Sequence, residues 1–256
     1  VVTVSDRSLP KIGDAIARYK VELLPATPSF LTLLMASHLQ KYYDLSSLKR
    51  ITYGTEVMPQ STLDRLTKAF PNVVLQQTYG LSELGVLHSK SRGDGTLWMR
   101  IGGEGFQTKI VNDLLWIKSD FAMVGYLNAP SEFDTDGWFN TQDQVEVDGE
   151  YFRILGRTTD LINVGGQKVY PSEVESVILD LDNVQDVAVF GEKHALLGQI
   201  VVAKIILDQS ETVESLKKRV RHACLAKLSS FKVPTKVILA AGVLHSSRQK
   251  KIRREQ

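Results

Sequence analysis

The chain holds 256 residues, enough for one large domain or two ordinary ones, and 43% of them are apolar, which supplies material for packed cores. Its 31 Lys and Arg against 29 Asp and Glu leave a formal charge of +2, which gives no electrostatic case for nucleic acid or a membrane surface as partner. The single cysteine, Cys224, excludes an internal disulfide, and the five histidines (His38, His88, His194, His222 and His245) lack the close spacings of a zinc site.

No run of about eighteen apolar residues and no charged-then-apolar leader occurs, so neither a membrane span nor a signal peptide is expected. Cys224 lies in a helical pattern beside Ala223 and Leu225 and reads as core filler in a reduced, cytoplasmic setting. The first residues, Val1-Val2-Thr3-Val4, carry no initiating Met and read as a strand or loop, as expected of a chain that begins inside a larger protein.

Ile12, Ala15, Ile16 and Tyr19 fall at helical spacing, residues 21–24 are apolar but for Glu22, and Pro25-Ala26-Thr27-Pro28 interrupts the chain before a second helix over 29–39. Residues 45–54 run into a strand ending at Gly54, a helix follows over 59–70 with Leu63, Leu66 and Phe70 on one face, and 73–77 is an apolar strand leading to Tyr79-Gly80. This alternation predicts α/β packing. Both strands end in polar, glycine-bearing loops, where open α/β sheets bind ligands.

From 97 to 154 the period changes. Residues 98–101, 108–111, 114–118 and 145–154 read as strands parted by turns at Asn112-Asp113 and Asp148-Gly149, an antiparallel β region. The second turn puts Asp143 and Arg157 just outside the two ends of one hairpin, close together. Beyond 160, Ser172 and Glu175 fit a capping box that opens a helix running to about Leu181, with Val174, Val177, Ile178 and Leu181 buried. Residues 187–190 and 200–207 are strands, 212–228 an amphipathic helix and 236–240 a final strand. That order, α-β-β-α-β, is a small α+β unit. Its boundary falls near 158–161, which gives residues 1–158 and 159–256 as the expected domains.

Three loops carry the chemistry: Gly54-Thr55-Glu56; Gln77-Thr78-Tyr79-Gly80-Leu81-Ser82-Glu83; and the stretch 137–175. The last holds Gly137-Trp138-Phe139, Thr141, Asp143, Gly156-Arg157, Gly165-Gly166 and Pro171-Ser172-Glu173-Val174-Glu175. With Gly125-Tyr126-Leu127-Asn128 between them, and in this order over nearly the whole chain, they resemble the adenylate-forming superfamily of acyl-CoA synthetases, aryl-CoA ligases, luciferases and peptide-synthetase adenylation domains.

The resemblance implies the later part of a large α/β core with an antiparallel β region, followed by a mobile α+β lid. It also implies a two-step reaction: a carboxylic acid attacks the α-phosphate of ATP to give an acyl-adenylate and pyrophosphate, and a thiol then displaces AMP. The thiol is that of CoA or of an acyl carrier protein's phosphopantetheine. In this scheme Tyr79 stacks on adenine, with Gly54-Thr55-Glu56 on its other face and Gly80 in the same loop. Ser82 bonds the α-phosphate and Glu83 helps hold Mg²⁺. Asp143 takes both ribose hydroxyls while Arg157 lies against the same ribose, so the two are expected to face a nucleotide and not each other. Thr159 and Asp160 form the hinge, and Gly165-Gly166 faces the pantetheine arm, although a Gly-Gly pair reads equally as a plain turn.

The tail, Ser246-Ser247-Arg248-Gln249-Lys250-Lys251-Ile252-Arg253-Arg254, resembles the superfamily's last motif. Aligned on Ile252, Lys251 becomes the lysine that reaches the carboxylate and α-phosphate; the competing reading is a solvated basic tail. Three departures stand out. Lys250 and Gln142 occupy positions where glycine is usual, and no Ser/Thr/Gly-rich phosphate loop is present, so the chain is expected to depend on a missing N-terminal segment of the same protein. The alternatives are an adenylation domain that loads a carrier protein and a catalytically silent nucleotide-binding module. His88, after the Tyr79 loop, reads as an exposed loop residue.

Overall fold

The computed structural model describes residues 1–93, 95–240 and 244; Lys251 lies outside them. Helix α1 (Leu9–Tyr19), strand β1 (Leu23–Ala26), helix α2 (Pro28–Ala36), strand β2 (Arg50–Tyr53), helix α3 (Gln60–Ala69) and strand β3 (Val74–Gln77) alternate into a parallel sheet of order β1-β2-β3. Its core gathers Ile16, Leu31, Leu34, Ile51, Leu63 and Leu66, of which Ile16, Leu63 and Leu66 are picked out by helical period in the sequence. α2 stops at Ala36, short of the expected 39, because His38 turns left-handed (φ 51) and a separate 3-10 turn covers Leu39–Lys41.

Strands β4 (Tyr79–Leu81) and β5 (Gly85–Leu87) form a small hairpin. A second sheet follows, built from β6 (Ser89–Ser91), β7 (Met99–Ile101), β8 (Phe106–Val111), β9 (Leu114–Ser119), β10 (Phe139–Asp148) and β11 (Tyr151–Arg157), in the order β6-β7-β11-β10-β9-β8 with every neighbour antiparallel. Its core centres on Met99, Leu115, Ile117, Val145 and Phe152. The β10–β11 turn is Gly149-Glu150, one residue later than expected: Asp148 pairs with Tyr151, and Gly149 takes φ 63. A register shift between Gln144 and Val145 adds one more residue, so that Asp143 and Arg157 lie inside the ladder as direct cross-strand partners, and not beyond its ends.

The C-terminal unit comprises β12 (Ile162–Val164), β13 (Gln167–Val169), α4 (Pro171–Leu179), β14 (Val184–His194), β15 (Gly198–Leu207), α5 (Val213–Lys227) and β16 (Lys236–Leu239). The sheet order is β13-β12-β15-β14, with β16 parallel to β15. Its own core contains Val174, Ile178, Val187, Val189, Val201, Ala203, Ile205, Leu216, Val220 and Cys224. Burial pushes the Cys224 thiol up to about 11, which leaves it protonated and inert. Ser172 is not the cap of α4. Pro171 opens the helix, the Tyr170 amide donates to Glu173 Oε1 at 3.0 Å, and the Ser172 hydroxyl donates to the Leu155 carbonyl at 2.9 Å. The box is displaced by two residues because Pro171, with no amide of its own to satisfy, suits the first helical position. The helix ends at Leu179, so Leu181 packs only partly against the core.

A bulge interrupts β10 between Asn140 and Gln144. Within it Gln142 has φ 58, held by its amide donating to Asn140 Oδ1 at 2.9 Å. Left-handed backbone costs a residue with a Cβ about 1–2 kcal/mol, which the glycine usual at this position avoids. Gln142→Gly is therefore expected to raise unfolding stability by about 0.5–1 kcal/mol after its entropic cost, read as a higher urea midpoint with unchanged slope; a lower midpoint would mean that the glutamine side chain matters more than the strain.

Candidate functional site

The site begins where β2 and β3 end side by side. Thr78 donates from its amide to the Tyr53 carbonyl at 2.7 Å and from its hydroxyl to the same oxygen at 3.1 Å, which locks the two exits together. A Cβ at Gly54 would stand 2.5 Å from the Thr78 carbonyl oxygen, so only glycine fits there. Next to it Thr55 is exposed with φ 71, a strained conformation for a β-branched residue, and such strain concentrates at functional sites. Glu56 turns towards α2: its Oε2 accepts the Ser29 amide at 3.2 Å, joining Thr27 Oγ1, which accepts the Phe30 amide at 3.1 Å, in satisfying that helix start.

Tyr79 opens β4 with its ring in the core of the second sheet, 7% exposed, and its hydroxyl donates to Asp143 Oδ2 at 2.5 Å. On the other side Arg157 donates from Nε to Asp143 Oδ1 at 3.3 Å. The expectation that Asp143 and Arg157 would not be mutual partners thus fails in this structure, because the hairpin register sets them directly opposite. The bulge supplies the rest of the mount. Asp143's amide donates to Thr141 Oγ1 at 3.2 Å, and the Thr141 hydroxyl donates to the Leu115 carbonyl at 2.8 Å.

Burial raises the Asp143 carboxyl above its ordinary range, and the Tyr79 hydroxyl and Arg157 charge offset only part of that. Burial, followed by the Asp143 charge, also pushes the Tyr79 phenol far above its usual range. A carboxylate offers about four acceptor positions. Tyr79 and Arg157 each take one, which leaves capacity for two further donors at a group whose side chain is 8% exposed beside a half-exposed arginine.

Ser82 and Glu83 stand at the tip of the β4–β5 hairpin, anchored by fully buried Leu84. Ser82 is exposed. Glu83 Oε1 accepts the Tyr126 hydroxyl at 2.7 Å, and that bond pushes the Tyr126 phenol up to about 12. Glu83's carbonyl accepts the Met123 amide at 2.9 Å, tying the 119–133 loop to the hairpin. Tyr126 carries no role in the sequence reading; its place four residues before Pro130 in a Gly-Tyr-Leu-Asn run was the available signal.

Thr158–Asp160 form one 3-10 turn after β11, with the Thr159 hydroxyl 3.4 Å from Asp160 Oδ1. Gly165 and Gly166, at φ 57 and 86, are the two central residues of the β12–β13 hairpin, a turn that needs positive φ at both. Gly165 donates to the Leu197 carbonyl and Gly166 to Asn163 Oδ1, each at 2.8 Å. Gly166 thereby lines a cleft of about 730 Å³ with Asn163, Lys193, His194, Leu197 and Gln199. The turn reading holds for this pair, and its contacts are with the β14–β15 end of the C-terminal unit. Among the described residues no group of three His, Cys, Asp or Glu could hold a metal ion, and no helix is long and apolar enough to cross a membrane.

Residues 1–127 match the family described as AMP-binding enzyme, and residues 173–251 match the AMP-binding enzyme C-terminal domain. The chain is 31% identical over 257 residues to acyl-CoA synthetase 7 of Caenorhabditis elegans, covering 93% of this chain and 47% of that protein. It is 29% identical to a long-chain-fatty-acid–CoA ligase of Mycobacterium tuberculosis, covering 91% and 49%. The chain spans about half the length of the curated relatives it matches. Among solved structures, the anthranilate CoA ligase AuaEII in complex with anthranoyl-AMP superposes with TM-score 0.85 at 24% identity, over 98% of this chain and 52% of that one. ATP-bound MatB from Rhodopseudomonas palustris gives 0.78 at 27%, over 96% and 52%.

The pH dependence of Asp143 has a definite sign. Its raised folded-state pKa means that the native protein carries the cost of an ionised buried carboxylate at neutral pH, and that this cost fades as pH falls through the folded pKa towards the unfolded value of about 3.9. Asp143→Asn should therefore match or exceed the parent's thermal midpoint near neutral pH, with the difference shrinking as pH is lowered to about 4; a variant markedly less stable at neutral pH would show that the Arg157 pairing outweighs burial.

Proposed function

We propose, for a chain that belongs to the adenylate-forming superfamily of AMP-binding enzymes, that it is part of a ligase that activates a carboxylic acid with ATP as an acyl-adenylate and passes the acyl group to the thiol of CoA. The observation that carries this reading is Asp143: a buried carboxylate, fixed by Tyr79 and Arg157, with two acceptor positions to spare. The vicinal 2′ and 3′ hydroxyls of a ribose are two donors at the spacing of one carboxylate. Arg157, half exposed, lies beside the same sugar, and the β2 and β3 exits at Gly54-Thr55-Glu56 and Tyr79-Gly80 border the adenine.

Ser82, exposed at the hairpin tip, donates to the α-phosphate, and Glu83 faces the same phosphate with its carboxylate oriented by Tyr126. A lone carboxylate suits Mg²⁺, which keeps most of its waters and takes one or two carboxylates together with substrate phosphates. Bound there, the ion would neutralise charge on the phosphate oxygens. Lys251 brings an ammonium to the carboxylate and α-phosphate during the first step. Thr159-Asp160 act as the hinge between a core of residues 1–158 and a lid of 159–256, and Gly165-Gly166 border the thiol's arm. The phosphate loop comes from a preceding segment of the same polypeptide. Buried, protonated Cys224 supports a reducing, cytoplasmic setting.

AMP titration tests the central part. Asp143→Ala is expected to weaken AMP binding about ten- to a hundredfold, the loss of hydrogen bonds to a charged acceptor; equal affinity in parent and variant would remove the carboxylate from the site. For the first step, Lys251→Ala should abolish acid-dependent ATP-pyrophosphate exchange by the longer polypeptide yet spare CoA-dependent consumption of a supplied acyl-adenylate. Robust exchange by this chain alone would contradict the need for the preceding segment.

A further inference from the structure

A helix leaves its first amides and last carbonyls without intrahelical partners. α3 starts after Pro59, which offers no side-chain cap, and its first backbone bond runs from the Leu63 amide to the Pro59 carbonyl at 3.1 Å. The Ser61 amide is met from the C-terminal unit: Ser176 Oγ accepts it at 3.2 Å and lies 3.4 Å from Ser61 Oγ. One turn further along α3, the Arg65 guanidinium donates to the carbonyl of Leu179, the last residue of α4. A cation there also meets the negative end of the α4 dipole.

Each helix thus has one end capped by a side chain of the other, across a sequence separation of 115 and 114 residues. The spacings match: 61 to 65 and 176 to 179 are each about one helical turn, so the two helices lie side by side in the same sense. Both are firmly seated. Thr62 is bonded to Thr32 of α2 at 2.9 Å in a buried contact, while Val174 and Ile178 of α4 are fully buried in the C-terminal core.

We propose that this reciprocal capping is a clasp that fixes the orientation of the C-terminal unit on the core, with Arg65 and Ser176 as its positioning residues. Because the two bonds join the same pair of rigid helices, a rotation about residues 158–160 that breaks one breaks the other. The clasp therefore opens as a unit. That it sets how often the C-terminal unit leaves the nucleotide during turnover rests on the activation reading above; the clasp itself does not.

Amide hydrogen exchange of the whole chain, without substrate, tests it. The Ser61 amide is expected to be protected in the parent, and Ser176→Ala should speed its exchange about tenfold. Arg65→Ala, which leaves that amide's own partner in place, should speed it by a similar factor, and tryptic cleavage after exposed Arg157 should rise in parallel. Ser176→Thr, which keeps the hydroxyl, should restore protection. Should Arg65→Ala fail to fold, Arg65→Gln carries the same expectation. Ser61 exchange that is unprotected in the parent, or unchanged by the Arg65 variants, would overturn the clasp. Neither result depends on nucleotide, so a failure of AMP binding and a failure of the clasp are read separately.

Discussion

Everything near the candidate site depends on one buried carboxylate. Asp143 is placed by a bulge in β10, gripped by a tyrosine from the β3 exit and by an arginine from the strand that leads into the C-terminal unit. All three side chains belong to the β4–β5 hairpin and the second sheet, whose apolar residues form one hydrophobic cluster. Burying a charge is costly unless it is paired and hydrogen-bonded, and here both partners are drawn from different strands, so the cost is offset only when hairpin and sheet are assembled. Tyr79 has no slack: its ring is packed and its hydroxyl committed.

In the proposed function the same geometry connects the nucleotide to the C-terminal unit. Arg157 is the last residue of β11, and the 3-10 turn at Thr158–Asp160 begins directly after it. The Ser172 hydroxyl on the Leu155 carbonyl fastens α4 to the same strand, and the Ser61–Ser176 and Arg65–Leu179 contacts fasten it to α3. A ligand that draws Arg157 from Asp143 would act on β11, which touches α4 through the Ser172–Leu155 bond, and α4 is the element that all these contacts share. In the proposed function, rotation of the C-terminal unit would have to break these hydrogen bonds, each worth about 1 kcal/mol.

Periodicity made the regular parts legible. The α3 face of Leu63 and Leu66, the apolar β14 and β15 runs and the amphipathic α5 follow from period alone, and so does the antiparallel second sheet. Short strands escaped. β4, β5, β12 and β13 have three residues each, too few for an alternation to register. The hairpin turn slipped by one residue because Asp148-Gly149 and Gly149-Glu150 both put glycine in the turn, and only the ladder register separates them. The hairpin pattern brings Asp143 and Arg157 close together all the same; what ran against their pairing was the resemblance, which puts a ribose between them. The partner of Glu83 was hidden for another reason: Tyr126 is 43 residues away, and no local pattern reports a contact of that range.

The most direct measurement is a crystal structure of the chain with AMP. The proposed site requires the ribose 2′ and 3′ hydroxyls within hydrogen-bond distance of Asp143 Oδ1 and Oδ2, the Tyr79 hydroxyl still on the carboxylate, and the Arg157 guanidinium against the sugar. AMP bound elsewhere, with Asp143 still held only by Tyr79 and Arg157, would contradict it and leave this carboxylate as a structural joint between the sheets.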